Sequence, residues 1–255
     1  MMKYVTFLFI SLLAQLLLLS CSDNDNEYVD TELSMDEVVY SYRQGQYSDI
    51  VLPYRKAVIA TGVEKPALVI YLHGGSSKGS DNETQIKEKA VGAIAGYLAS
   101  RHISSVLIVP QCPKNMAWGG KMNGVLKALI DDCVSEYMAD ACRIYILGGS
   151  MGGTGTWSML SDYPGLFAAA MSVAGNPTGS DVGNVSRTPV LTVMGTHDEI
   201  MDISLVRNFS DLVASLCGEV LLETENGWTH EMTCTDSYTD NRLDWVFRHI
   251  NTAPL

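Results

Sequence analysis

The run Gly148-Gly149-Ser150-Met151-Gly152 constrains this chain more than any other feature. It follows Arg143 to Leu147, an apolar run that reads as a buried strand, and precedes Gly153 to Leu160, which can begin a helix. A G-x-S-x-G pentapeptide between a strand and a helix is a nucleophile elbow. A serine hydroxyl is a weak nucleophile and has to be presented to a base in fixed geometry. A tight turn lifts its Oγ out of the sheet, and the glycines at 148 and 152 relieve the crowding that such a turn creates. The helix that follows points its first N–H groups at any negative charge that develops there.

The rest of the chain supplies partners in a consistent order. Pro66 to Leu72 is an apolar run ending in His73-Gly74-Gly75-Ser76, a strand followed by a loop able to donate backbone N–H groups to an oxyanion. Two donors are expected: the N–H of Met151, and that of Gly75 or Ser76. His73 reads as the anchor of this loop rather than a reacting group. Pro189 to Met194 is a further strand, followed by Gly195-Thr196-His197-Asp198-Glu199. Asp198 is the expected carboxylate partner of the base, with Glu199 and Asp202 as alternatives in the same loop. His197 is a poor base for Asp198, because adjacent residues of an extended chain point in different directions. Glu219 to Glu223 is the next strand, and the loop after it ends at His230, the expected general base. His102 and His249 read as a cap or surface histidine at helix ends. The order Ser150, Asp198, His230 is that of the α/β-hydrolases and not of other serine-hydrolase folds.

The chain resembles the compact esterases of that superfamily, the group of polyhydroxybutyrate depolymerase-like proteins, feruloyl and acetyl-xylan esterases and predicted peptidases. The resemblance rests on Leu72-His73-Gly74-Gly75, on Val109-Pro110-Gln111-Cys112-Pro113 with Trp118, and on Arg143-Ile144-Tyr145. It continues through Gly149-Ser150-Met151-Gly152-Gly153, Gly155-Thr156-Trp157 and Tyr163 to Ala169, and covers residues 48 to 250. It implies an α/β-hydrolase fold, a mainly parallel sheet with helices on both faces, and ester hydrolysis. The acid loop Gly195-Thr196-His197-Asp198 matches the group's G-x-x-D pattern.

The N-terminus reads as a targeting segment. Lys3 precedes a sixteen-residue apolar run, Tyr4 to Leu19, short for a membrane span. Leu18-Leu19-Ser20-Cys21 resembles a bacterial lipobox, which makes Cys21 the expected site of lipidation. Residues 1–20 are then a signal peptide, 21–40 a lipidated cysteine and acidic linker, and 41–255 the hydrolase domain. The stretch Ser22 to Glu27 resembles the acidic export tags of some outer-membrane lipoproteins, so the expected location is the cell envelope, lipid-anchored, at the outer membrane or cell surface. A formal charge of −12 argues against nucleic acid and anionic membranes as partners and tolerates neutral esters and glycans. Membrane contact is expected only through the anchor. Of the six cysteines, five remain after Cys21. An exported protein permits pairs such as Cys217 with Cys234 or Cys133 with Cys142. No C-x-x-C or H-E-x-x-H pattern occurs, so neither a metal nor a cofactor is expected.

Tyr47 to Ala60 reads as an edge hairpin entering the sheet, and strands are expected at 67–72, 104–109, 143–148, 168–173, 189–194 and 219–223. Ile203, Val206, Phe209, Leu212, Val213 and Leu216 recur at helical spacing, and Asn241 to Ile250 reads as a closing helix. Strand and helix in alternation imply a parallel sheet covered on both faces. Gly175 to Thr188 is too short for a cap domain, so the site is expected to be an open cleft, walled by the loops 76–85 and 111–123. Trp118 and Trp228 are candidate substrate-binding aromatics, each with core packing as the alternative. The function expected is a serine carboxylesterase acting on acyl or aryl esters of polysaccharides or their fragments. A serine peptidase of the same fold and a non-catalytic glycan-binding lipoprotein are the alternatives.

Overall fold

The computed structural model describes residues 36–42, 50–59 and 65–254, all within the unit Leu33–Leu255. The expected signal peptide, Cys21 and the acidic stretch after it lie outside the described residues. Eight strands form one sheet in the order β1-β2-β4-β3-β5-β6-β7-β8. β1 (Asp36–Tyr42) and β2 (Ile50–Ile59) pair antiparallel with each other, and β2 pairs antiparallel with β4 (Ser105–Pro110). β3 (Ala67–Leu72), β4, β5 (Ile144–Gly149), β6 (Ala169–Val173), β7 (Val190–Gly195) and β8 (Val220–Glu225) are parallel. Every residue of β3 to β7 is buried, which is why these strands read in the sequence as unbroken apolar runs rather than alternating ones.

Successive side chains of those strands feed two cores. Leu68, Ile70, Leu72 and Ile146 point to the face covered by α2 (Lys121–Glu136), α3 (Met151–Asp162) and α5 (Ile203–Ser215). Val69, Tyr71, Tyr145 and Leu147 point to the face covered by α1 (Lys89–Ser100) and α7 (Asp240–Phe247). Two short helices, α4 (Val182–Val185) and α6 (His230–Asp236), complete the α-helices among the described residues, with 3-10 turns at Gly75–Ser77 and Thr84–Lys87. Between β6 and β7 there is only α4 and its flanking turns, and no cap domain stands over the sheet among the described residues. No helix among the described residues is long and apolar enough to cross a membrane.

Five expectations change. Residues 36–40, read as linker, are part of β1, whose Val38-Val39-Tyr40 segment has strand propensity and pairs with β2. The expected edge hairpin is one long strand, β2, held between β1 and β4. The closing helix ends at Phe247, with Arg248 as its C-cap. His249 lies beyond it, where its carbonyl accepts the Tyr145 hydroxyl at 2.7 Å. The five cysteines from Cys112 to Cys234 are all free, including both suggested pairs: Cys133 is on the buried face of α2, and Cys217 is exposed just past the end of α5. Leu212 and Leu216, at the helical spacing of the α5 core face, are each 54% exposed, and Val206 and Val213 carry the burial instead.

The chain leaves β3 for β4 on one side and returns to β5 on the other, so the strand order reverses between β3 and β5. A crevice outside the carboxyl ends of the strands at such a reversal is where open parallel sheets bind ligands. Ile146 sits at the centre of β5 with no exposed surface. Ile146→Ala should lower the unfolding free energy by about 2–5 kcal/mol, measured as a shifted denaturant midpoint with an unchanged slope.

Candidate active site

Both β3 and β5 end at this reversal, and the glycines at 148 and 152 around the end of β5 have a steric reason. A Cβ on Gly152 would lie 1.8 Å from the Leu72 carbonyl oxygen, and one on Gly148 would lie 2.4 Å from that of Gly152. Bare backbone at these points lets α3 start directly against the end of β3. Between them Ser150 takes φ 55° and ψ −117°, a conformation that side chains rarely adopt. Its N–H donates to the Val173 carbonyl at 2.8 Å and its own carbonyl accepts from the Thr154 N–H at 3.0 Å, so neighbouring backbone holds the turn.

Ser150, Asp198 and His230 come together here from three loops. His230 Nε2 lies 2.7 Å from Ser150 Oγ. Its Nδ1 lies 2.9 Å from Asp198 Oδ2 and 3.0 Å from Oδ1. His230 opens α6, capped by the Thr229 hydroxyl, and its side chain is 10% exposed. The Asp198 side chain is 1% exposed, and its Oδ1 also accepts the N–H groups of Ile200 at 2.9 Å and Met201 at 2.8 Å. The carboxylate plane is therefore fixed before the imidazole reaches it. This hydrogen-bonded chain is competent to draw a proton off the serine hydroxyl and hold it as imidazolium.

The alternative acids have other work. Glu199 is exposed, and its carboxylate meets the His230 backbone N–H at 3.3 Å rather than the ring. Asp202 is the N-cap of α5 and accepts the Ser204 N–H at 2.8 Å. His197 is exposed and donates its N–H to the Trp228 carbonyl at 3.0 Å. His73 is fully buried: its Nε2 accepts the Cys112 N–H at 2.9 Å and its Nδ1–H donates to the Gly74 carbonyl at 2.6 Å. Burial lowers its pKa, consistent with a neutral ring pinning the loop.

A cleft of about 480 Å³ opens beside Ser150 and His230. The turn Gly75–Ser77 forms one wall, so Gly75 and Ser76 stand next to Ser150, while Met151 follows it as the first residue of α3. Ile200, 64% exposed, also lines it. The loop 76–85 contributes Ser76 to this cleft, but 111–123 borders a separate polar hollow along α3.

Neither tryptophan lines the Ser150 cleft. Trp118 is 4% exposed, donates its indole N–H to the His73 carbonyl at 3.0 Å, and sits where a Cβ on Gly155 would lie 2.3 Å from its own. It packs its loop onto the core. Trp228 faces a groove beside β8 and α7, with the Arg242 guanidinium 6.0 Å from its ring centre. It is therefore not a cleft residue, although it precedes His230 by two residues.

Sequence reasoning missed several cleft residues: Tyr71, Glu88, Lys89 and Cys234. Lys89 pairs with Asp236 at 2.8 Å. Cys234 Sγ lies 3.8 Å from His230 Nε2, and burial, then the charges of Asp198 and Glu88, push its thiol up to about 12. Its i+4 spacing from His230 on a helix was the one local signal available. Glu88 and Tyr71 gave none.

Residues 118–178 match the prolyl oligopeptidase family. Feruloyl esterase B of Neurospora crassa is 30% identical over 131 residues, 49% of this chain and 44% of that protein. Acetylxylan esterase A of Emericella nidulans is 41% identical over 61 residues, 24% of this chain and 20% of that one. The chain thus spans less than half the length of these curated relatives. A crystal structure of a thermostable esterase superposes with a TM-score of 0.77 at 25% identity, over 85% of this chain and 63% of that one.

Hydrogen bonding to the Ser204 hydroxyl, and then to its N–H, holds the Asp202 carboxyl below the usual carboxylate range. A lowered folded-state pKa adds stability above the unfolded value of about 3.9, lost as pH falls through the lower folded value. Asp202→Ala should therefore melt below the wild type at pH 7 with turnover unchanged, and the gap should narrow as pH falls below about 4. Melting curves across pH check this.

Proposed function

We propose that this α/β-hydrolase of the esterase group is a serine carboxylesterase working through Ser150, His230 and Asp198. The observation that carries the reading is the hydrogen-bonded chain, 2.7 Å from Ser150 Oγ to His230 Nε2 and 2.9 Å from Nδ1 to a buried carboxylate. Ser150 Oγ attacks the ester carbonyl while His230 Nε2 takes its proton. The tetrahedral oxyanion is held by the Met151 N–H and the N–H of Gly75 or Ser76. His230 then passes the proton to the leaving alcohol, leaving an acyl-serine. Water, deprotonated by His230 in turn, releases the acid. Asp198 keeps the ring in the productive tautomer and stabilises its cationic form.

The substrates proposed are acyl or aryl esters on polysaccharides or their fragments. The similarity to a feruloyl esterase and an acetylxylan esterase supports this class, as does a cleft with no cap above it. A serine peptidase is the second reading, favoured by the match of residues 118–178 to the prolyl oligopeptidase family. The same three residues serve either reaction, and the leaving group distinguishes them. We also propose that Cys21 carries a lipid and tethers the enzyme to the cell envelope. Labelled fatty acid should be incorporated by the wild type and not by Cys21→Ser.

Soluble protein beginning at residue 22 should hydrolyse p-nitrophenyl acetate, and Ser150→Ala should reduce kcat by at least about 10⁴-fold. Peptide p-nitroanilides cleaved in preference to the esters would favour the peptidase. Asp198→Asn should lower kcat by about 10⁴-fold without unfolding the protein. Near-normal turnover in that variant would remove Asp198 from the mechanism.

A further inference from the structure

The loop after β3 is asked to fix two backbone N–H groups in space, yet its Gly74-Gly75 sequence has no side chains with which to anchor itself. Its beginning is pinned by His73. Its turn is closed by the Ser77 N–H donating to the Gly74 carbonyl at 3.2 Å. What remains is the Gly74 N–H, and it donates to Glu88 Oε1 at 2.9 Å. The same carboxylate oxygen accepts the Ser77 hydroxyl at 2.6 Å, and Oε2 accepts the Tyr71 hydroxyl at 2.7 Å. One carboxylate thus ties the end of β3 to both ends of the Gly74–Ser77 turn.

Glu88 is the N-cap residue of α1, but its side chain makes no capping hydrogen bond to that helix. Glutamate is a weak choice for an N-cap, where a shorter side chain would bond the helix's own N–H groups. Its length here serves the long-range contact instead. A Cβ on Gly74 would lie 3.5 Å from Glu88 Oε1 and 3.7 Å from Ser150 Cβ, so the Gly74 peptide lies between the carboxylate and the serine. With both the N–H and the carbonyl of Gly74 committed, the orientation of the next peptides follows. The first N–H groups of a helical turn have no partner within it, which leaves those of Gly75 and Ser76 free to serve the cleft.

We propose that Glu88 is a positioning residue for the oxyanion site. By accepting hydrogen bonds from Tyr71, Gly74 and Ser77, it holds the Gly75 and Ser76 N–H groups at the place where negative charge develops during acyl transfer. This rests on the esterase reading, and it adds a cleft residue whose hydrogen bonds go to Tyr71, Gly74 and Ser77 rather than to the three reacting residues. Its contribution is specific to the tetrahedral state, so losing it should lower kcat and leave substrate binding alone.

The test compares wild type, Glu88→Ala and Glu88→Gln. A fluorophosphonate probe that bonds to the reactive serine first counts the competent sites of each. Glu88→Ala should turn over p-nitrophenyl acetate about 10–100-fold more slowly per labelled site, with KM within about threefold of wild type. Affinity for phenylboronic acid, which binds serine as a tetrahedral anion, should fall by a similar factor. Glu88→Gln should recover to within about threefold of wild type, since its Oε1 can still accept from Gly74 and Ser77 while its amide donates to the Tyr71 oxygen. Should Glu88→Ala fail to fold, Ser77→Ala removes one donor and should lower kcat about 3–10-fold at unchanged KM; normal turnover there would overturn the proposal. It is equally overturned if Glu88→Ala keeps wild-type kcat, if its loss falls on KM with boronate affinity intact, or if glutamine fails to rescue. A wild type that the probe does not label at Ser150 would defeat the esterase reading itself, whereas labelled wild type and equally active Glu88→Ala would defeat only the role of Glu88.

Discussion

The close approach of Gly152 to the Leu72 carbonyl is the contact on which the rest of the site depends. It lets α3 begin against the end of β3, and so sets the turn at Ser150 beside the loop that follows β3. Any side chain at 152 would meet backbone, which cannot swing aside as a flexible side chain can. The unusual backbone angles at Ser150 persist because neighbouring strands over-determine them: β6 accepts the Ser150 N–H, and α3 is seated on β3 and β5. Strain of about 1–3 kcal/mol of this kind is stored at one residue and offset by the packing of a fully buried sheet.

On the other side of the cleft the constraint is electrostatic. Asp198 is a carboxylate almost wholly removed from water, and an ion so placed is tolerable only with its lone pairs engaged. Two backbone N–H groups and the His230 ring engage them. The result is a rigid acceptor in fixed register with an imidazole, an arrangement a solvent-facing carboxylate such as Glu199 would not hold.

Much of this was legible from the chain alone, for physical reasons that differ by residue. The buried parallel strands announce themselves as apolar runs, so the ends of β3, β5 and β7 fall within a residue or two of expectation. Residues just beyond those ends were therefore nominated by position: Gly75, Ser76, Ser150, Asp198. His230 followed from order. What stayed hidden depends on side-chain direction and long-range contact. Trp228 is close to His230 in sequence but turns toward Arg242, and Trp118 is spent on the core through its bond to His73. Glu88 looks like any charged residue before a helix, and only the folded chain shows three donors converging on it. Strand β1 was obscured by polar neighbours in a stretch that composition marked as tether.

The buried thiol of Cys234 beside His230 gives the site an internal competition. Sulfur and hydroxyl both lie within reach of one imidazole nitrogen, and a thiolate would be the better nucleophile and the stronger claimant on the imidazolium. Burial, and then the charges of Asp198 and Glu88, raise the thiol's pKa and so favour the proton on sulfur. The pocket thus sets two different groups against one imidazole, a hydroxyl at 2.7 Å and a thiol at 3.8 Å whose surroundings favour its protonated form.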